Sequence, residues 1–140
     1  MRAAIGVAII VVACSGLAQG QSPPATSEVV RLRSGCAELG KNMLRPTTIG
    51  SALTKHQTSY YDPQAKRCYV DLTVRSADVS DKYINRNLFD GQTNELLAIA
   101  RIEKEKTTGM VFDEQQGNLK YARWDEASAY IDAKMARKRK

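Results

Sequence analysis

The stretch SYYDPQAKRCYVDLTV, Ser59 to Val74, decides how the rest of the chain is read. Asp62-Pro63 is a turn signal in its middle. From Arg67 to Arg75, Cys68, Val70, Leu72 and Val74 alternate with Tyr69, Asp71, Thr73 and Arg75. A period of two, with one apolar and one polar face, predicts a half-buried strand. Ala52 to Tyr61 reads as its hairpin partner. Cys68 then falls on the core-facing side of the clearest strand in the chain.

Upstream, Ser27 to Leu44 predicts a helix, with Ser27 as N-cap and Pro46 as stop. Val29, Leu32, Cys36, Leu39 and Met43 recur in steps of three and four and share one face. Gly35 and Gly40 weaken that helix by up to about 1 kcal/mol each, or else permit close packing. Downstream, Asp90-Gly91 is a hairpin turn signal. It makes Tyr83–Phe89 a third strand and Asn94–Glu103 a fourth. The latter fits a helix equally by composition, and the turn decides for strand. GMVFDEQ reads as a short strand. WDEASAYIDAKMA reads as a helix with Trp124, Ala127, Ile131 and Met135 on one face. The order is an N-terminal helix, an antiparallel meander of about four or five strands and a C-terminal helix. With both helices on one sheet face, that is an α+β domain.

The N-terminus carries one cation, Arg2, before the apolar run Ala3 to Ala13. Such a run is too short to span a bilayer, which takes about 20 residues, and suits a secretory signal. Two processing routes fit. VVAC, Val11 to Cys14, resembles a lipoprotein lipobox, which would make residues 1–13 the signal and Cys14 the lipidation site. GLAQGQ offers ordinary cleavage, with residues 1–20 as signal peptide. Residues 21–26 then form a Ser/Pro/Gln linker, and 27–140 a single domain. The expected location is the periplasm, a lipid-anchored membrane surface or the exterior.

The C-terminal segment 134–140 holds Lys134, Arg137, Lys138, Arg139 and Lys140. Without these and Arg2, basic and acidic residues balance at 15 each. The excess positive charge is therefore a property of the tail, not of the body. The tail could touch an anionic surface, or it could be a solvated helix end whose cations suit the helix dipole. A neutral body disfavours nucleic acid as partner.

Cys36 on the helix and Cys68 on the strand both lie on apolar faces. If the helix packs on that face, the two sulfurs meet, and an exported chain would bridge them. A bridge across the 31 intervening residues is worth about 3–4 kcal/mol. Two buried free thiols are the alternative. GCAELGKNM, followed by HQTSYYDPQAKRCYVDLTV and Leu88-Phe89-Asp90, resembles a family of small exported bacterial proteins of uncharacterised function. In that family a helix cysteine is followed by a Tyr-Tyr-Asp…Arg-Cys-Tyr-Val strand. The resemblance covers Cys36 to Asp90. It implies the Cys36–Cys68 bridge and the α+β fold, and supplies no activity. A second cysteine pair seen near the C-terminus of some relatives has no counterpart here.

The sequence contains no phosphate-binding glycine loop and no zinc spacing. Its lone histidine, His56, in a polar strand reads more readily as a surface residue than as a catalyst. Asp113-Glu114 and Asp125-Glu126 are adjacent pairs: a strand puts such neighbours on opposite faces, and a helix start uses them for capping and dipole complement. Tyr60, Tyr61 and Tyr69 cluster at one hairpin. With Arg67 and Arg75 beside them, they could form a binding surface, but cross-strand pairing that stabilises the hairpin is the favoured reading. The leading expectation is a non-enzymatic binding module of the envelope, without cofactor or metal. The alternatives are an enzyme built on His56 and carboxylates such as Asp71, and a tail that binds anionic surfaces.

Overall fold

A computed structural model describes residues 26–44, 53–78, 80 and 82–135. Helix α1 (Thr26–Leu44) is followed by strands β1 (Leu53–Asp62), β2 (Arg67–Ser76), β3 (Tyr83–Asp90), β4 (Leu96–Glu103), β5 (Lys106–Asp113) and β6 (Asn118–Ala122). Helix α2 (Trp124–Met135) closes the domain. The strands form one antiparallel sheet in sequence order, each paired with its predecessor. The meander thus has six strands, one more than the upper expectation. The segment after Asp90-Gly91 is a strand, as the turn predicted. The processing sites around Cys14, the linker to residue 25 and the tail beyond Met135 lie outside the described residues.

The turns explain the pairings. Asp62 Oδ1 accepts the N–H groups of Gln64 (2.9 Å) and Ala65 (3.3 Å), which folds the chain back after β1. Asp90 Oδ1 does the same for Gln92 and Thr93. The β3–β4 connection is longer than a two-residue turn, because Asn94 takes a positive φ of 61° and Asp90 N–H bonds to the Glu95 carbonyl. Gly91 is needed there for a different reason: a Cβ would lie 2.7 Å from Cys68 Sγ. A register shift between β3 and β4 near Leu88/Phe89 leaves Leu97 without a partner, and its side chain joins Leu88 and Ala98 in the core.

The sheet carries its two helices on opposite faces, which corrects the expectation of a shared face. Directly paired residues in antiparallel strands share a face. One face therefore holds Cys68, Val70 and Leu72 with Tyr61. It packs against α1 through Cys36, Leu32 and Met43. The other face holds Tyr69, Leu88, Ala98 and Ala100, and packs against Ala127 and Ile131 of α2. Alternation marked the second face as polar, yet most of it is core. α1 lies over β1 and the adjoining part of β2, whereas α2 lies mainly over β4 and β5. The two helices are offset across the sheet, although α2 also reaches β2 on its own face.

Cys36 and Cys68 form a disulfide, with Cα atoms 5.4 Å apart. α1 buries only Cys36 and Gly40. A Cβ at Gly40 would collide with the Gln57 amide and the Ser59 hydroxyl, whereas one at Gly35 would meet nothing within 4 Å. Only Gly40 serves close packing. The bridge sits at the β1–β2 turn end of the sheet. α2 also finishes at that end, where Lys134 Nζ lies 5.6 Å from the Tyr69 ring centroid and 5.4 Å from that of Tyr130. Burial raises the pKa of both tyrosines. The start of α2 carries one half of a capping box: Glu126 Oε2 accepts the Arg123 N–H at 2.9 Å.

Candidate functional site

Two regions of the sheet are left open by the offset helices. The first lies on the α2 face over β1–β3. It is a polar cleft of about 420 Å³ that brings His56, Asp71 and Arg75 together with Arg86, Trp124, Ser128 and Asp132. The strand register builds it: His56 stands opposite Thr73, and Thr73 opposite Arg86. Arg86 is its centre. Its Nη2 donates to Asp71 Oδ2 at 2.7 Å and to Asp132 Oδ1 at 2.9 Å, and its Nη1 donates to Ser128 Oγ at 2.8 Å. Burial works against the guanidinium charge. The hydrogen bonds to Asp71 and Asp132 outweigh it and raise the Arg86 pKa.

The chemistry of this cleft is that of a strap. Both Asp71 oxygens are occupied, Oδ2 by Arg86 and Oδ1 by the Thr73 hydroxyl at 3.2 Å. The Ser128 hydroxyl accepts from a cation, which does nothing to activate it as a nucleophile. His56 is exposed, and its hydrogen bond is to Thr58 Oγ1 at 3.2 Å. His56 and Asp71 therefore line one cleft without a bond between them. Among the described residues no group of three or more His, Cys, Asp or Glu side chains could hold a metal ion. Arg86 was legible only as an unremarked polar position of β3. Its register opposite Thr73, together with a Ser and an Asp four apart on α2, is the signal that would have found it.

The tyrosines are not where the polar alternation put them. Tyr69 is 3 % exposed and Tyr61 6 %, on opposite faces of the sheet, so neither presents an exposed surface. Tyr69 stays inside because α2 covers that face; Tyr61 stays inside beside the disulfide. Tyr60 is half-buried against the α2-side core, and Arg75 alone of the four is exposed.

The second open region is on the α1 face beyond β2. The register aligns Leu72, Asn87, Ile99, Met110 and Tyr121 in one row from β2 to β6. The inner members are half-buried by the sheet itself, and Tyr121 is 89 % exposed. Beside the row, Leu39 and Met43 of α1 form a groove of about 480 Å³ with Leu72 and Phe89. The short strand β6, which carries Tyr121, had no sequence expectation. Its five residues, Asn118–Ala122, include a single large aliphatic side chain, Leu119.

No protein-family model, no curated protein and no solved structure matches the chain at a significant level. The helix-to-strand disulfide expected from the Cys36–Asp90 segment is present, and no match supports a family of small exported proteins. No helix among the described residues is long and apolar enough to cross a membrane.

Proposed function

We propose that this chain is a small exported bacterial envelope protein that works by binding a protein partner, not by catalysis. The observation that carries the reading is the uncovered apolar row ending in Tyr121. Ile99, Met110 and exposed Tyr121, with Asn87 in the same row and Phe89 beside it, have the mixed apolar and polar composition of a protein interface. The disulfide supports residence in an oxidising compartment, and the N-terminal apolar run supports export. The kinship with small exported proteins, whether the chain is soluble or lipid-anchored, belongs to the same proposal.

The test is site-specific photocrosslinking in the intact envelope. A photoreactive side chain at Tyr121 is expected to give a discrete heavier species that disappears when Met110→Asp is added. The same probe at Thr107, whose side chain points to the other face, is expected to give none. Accumulation of the chain in the cytoplasm, or equal labelling from both positions, overturns the proposal.

A further inference from the structure

The sheet extends one residue row past the start of α2, and that row forms a cleft that adjoins the first and shares Arg75 and Ile84 with it. Arg75 of β2 stands opposite Ile84 of β3, and Ile84 opposite Ile102 of β4. The row above it, Arg86, Ala100, Gly109 and Ala122, ends where the chain turns into α2. Ile84, which also borders the first cleft, and Ile102 are half-buried and form an apolar floor. Asp78 and Lys82, between β2 and β3, line the rim. The cleft has a volume of about 400 Å³, within the range of small-ligand sites.

The charges on this rim are unevenly satisfied. Asp78 turns back on its own loop: its Oδ1 accepts the Ser80 N–H at 2.9 Å and the Ser80 hydroxyl at 2.7 Å. Arg75 and Lys82 are both exposed, and among the described residues neither side chain enters an ion pair or hydrogen bond. Two uncommitted cations over an apolar floor are complementary to a molecule with an anionic head and an apolar tail.

We propose that this cleft binds a single-chain anionic amphiphile, with its carboxylate or phosphate head on Arg75 and Lys82 and its chain along Ile84 and Ile102. The site is separate from the Tyr121 row and lies on the opposite face. A guanidinium offers a planar fork for the head group and an ammonium a movable point charge, so the pair accepts either head.

The probe is dodecanoate, titrated calorimetrically into the full chain below its micelle concentration. Saturable one-site binding is expected. The Arg75→Gln/Lys82→Gln double variant is expected to weaken it by about tenfold or more, as loss of charge-assisted contacts does. Ile102→Asp is expected to abolish it. All three positions are at the surface or half-buried, and circular dichroism verifies that each variant is folded. Acetate, which lacks the tail, and dodecyltrimethylammonium, which reverses the head charge, are expected not to saturate. Absence of saturable dodecanoate binding, equal binding of the cationic amphiphile, or an unchanged double variant overturns the proposal. Sedimentation with phosphatidylglycerol vesicles in the absence of dodecanoate binding also overturns it, and assigns the cations to a bilayer surface.

Discussion

Removal of the Cys36–Cys68 bridge tests how α1 is held. The helix buries only two residues, and one of them is a bridge cysteine. The bridge closes a separation of 32 residues. Chain-entropy reasoning for that length gives about 3.7 kcal/mol of stabilisation at 25 °C. Residues 26–135 make a domain of roughly 110 residues, with an unfolding entropy near 60 °C of about 0.23 kcal/mol/K. The Cys36→Ala/Cys68→Ala variant should therefore melt about 15 °C lower by scanning calorimetry. Alanine leaves no polar group behind in the core. Hydrogen exchange adds the decisive readout. Amides of α1 should lose nearly all protection, while those of β2, β3 and β4 keep what the lower global stability allows. A fall in Tm of less than about 5 °C, or α1 amides still protected as well as those of β3, would refute the view that the bridge is the main tie between helix and sheet.

Four further predictions come from other positions in the domain. Arg86→Met strips the buried Asp71 carboxylate, 11 % exposed, of its cation and should cost about 3 kcal/mol in urea titrations; Asp132→Ala removes a partner that is 67 % exposed and should cost under about 1 kcal/mol. Equal costs would mean that the strap is held from the helix side. Gly35→Ala should stabilise by up to about 1 kcal/mol, because its Cβ meets nothing. Gly109→Ala should destabilise by about 2 kcal/mol, since its Cβ would lie 2.5 Å from the Arg123 carbonyl oxygen. The Asp113 pKa is lowered by its hydrogen bond from Lys120 and then by the Gln115 N–H. A carboxyl depressed in the fold stabilises above its ordinary pKa of about 3.9 and loses that contribution as pH falls through the depressed value. NMR titration should place Asp113 below the ordinary carboxyl range and show the β5–β6 turn loosening only under stronger acid. A normal Asp113 titration would remove the basis for that turn.

The fold was legible where a segment has one buried and one wet side. Cys36 and Cys68 could be matched because helical and strand periodicities each placed a cysteine on an apolar face. The Asp-Gly turn settled β4 against its helix-like composition for the same kind of local reason. Where the sheet is covered on both sides, alternation misled. Tyr69, Asp71 and Thr73 alternate with aliphatics and so look exposed, yet α2 and the Arg86 network bury them. β6 escaped notice because a short edge strand needs little apolar content: β5 supplies its hydrogen bonds. The open regions are properties of how two helices divide a sheet, which no single segment encodes.

The unbroken order of the meander has a consequence for assembly. Every strand pairs with the one before it, so no strand waits for a distant partner, and contacts stay short in sequence. The Cys36–Cys68 staple and the contacts of α1 lie almost wholly within α1, β1 and β2. Under oxidising conditions the disulfide can close once residue 68 is available, before the rest of the sheet has formed. The order of the sheet allows β3 to β6 to add one neighbour at a time to that stapled edge, and α2 has its main docking surface only once β4 and β5 are in place.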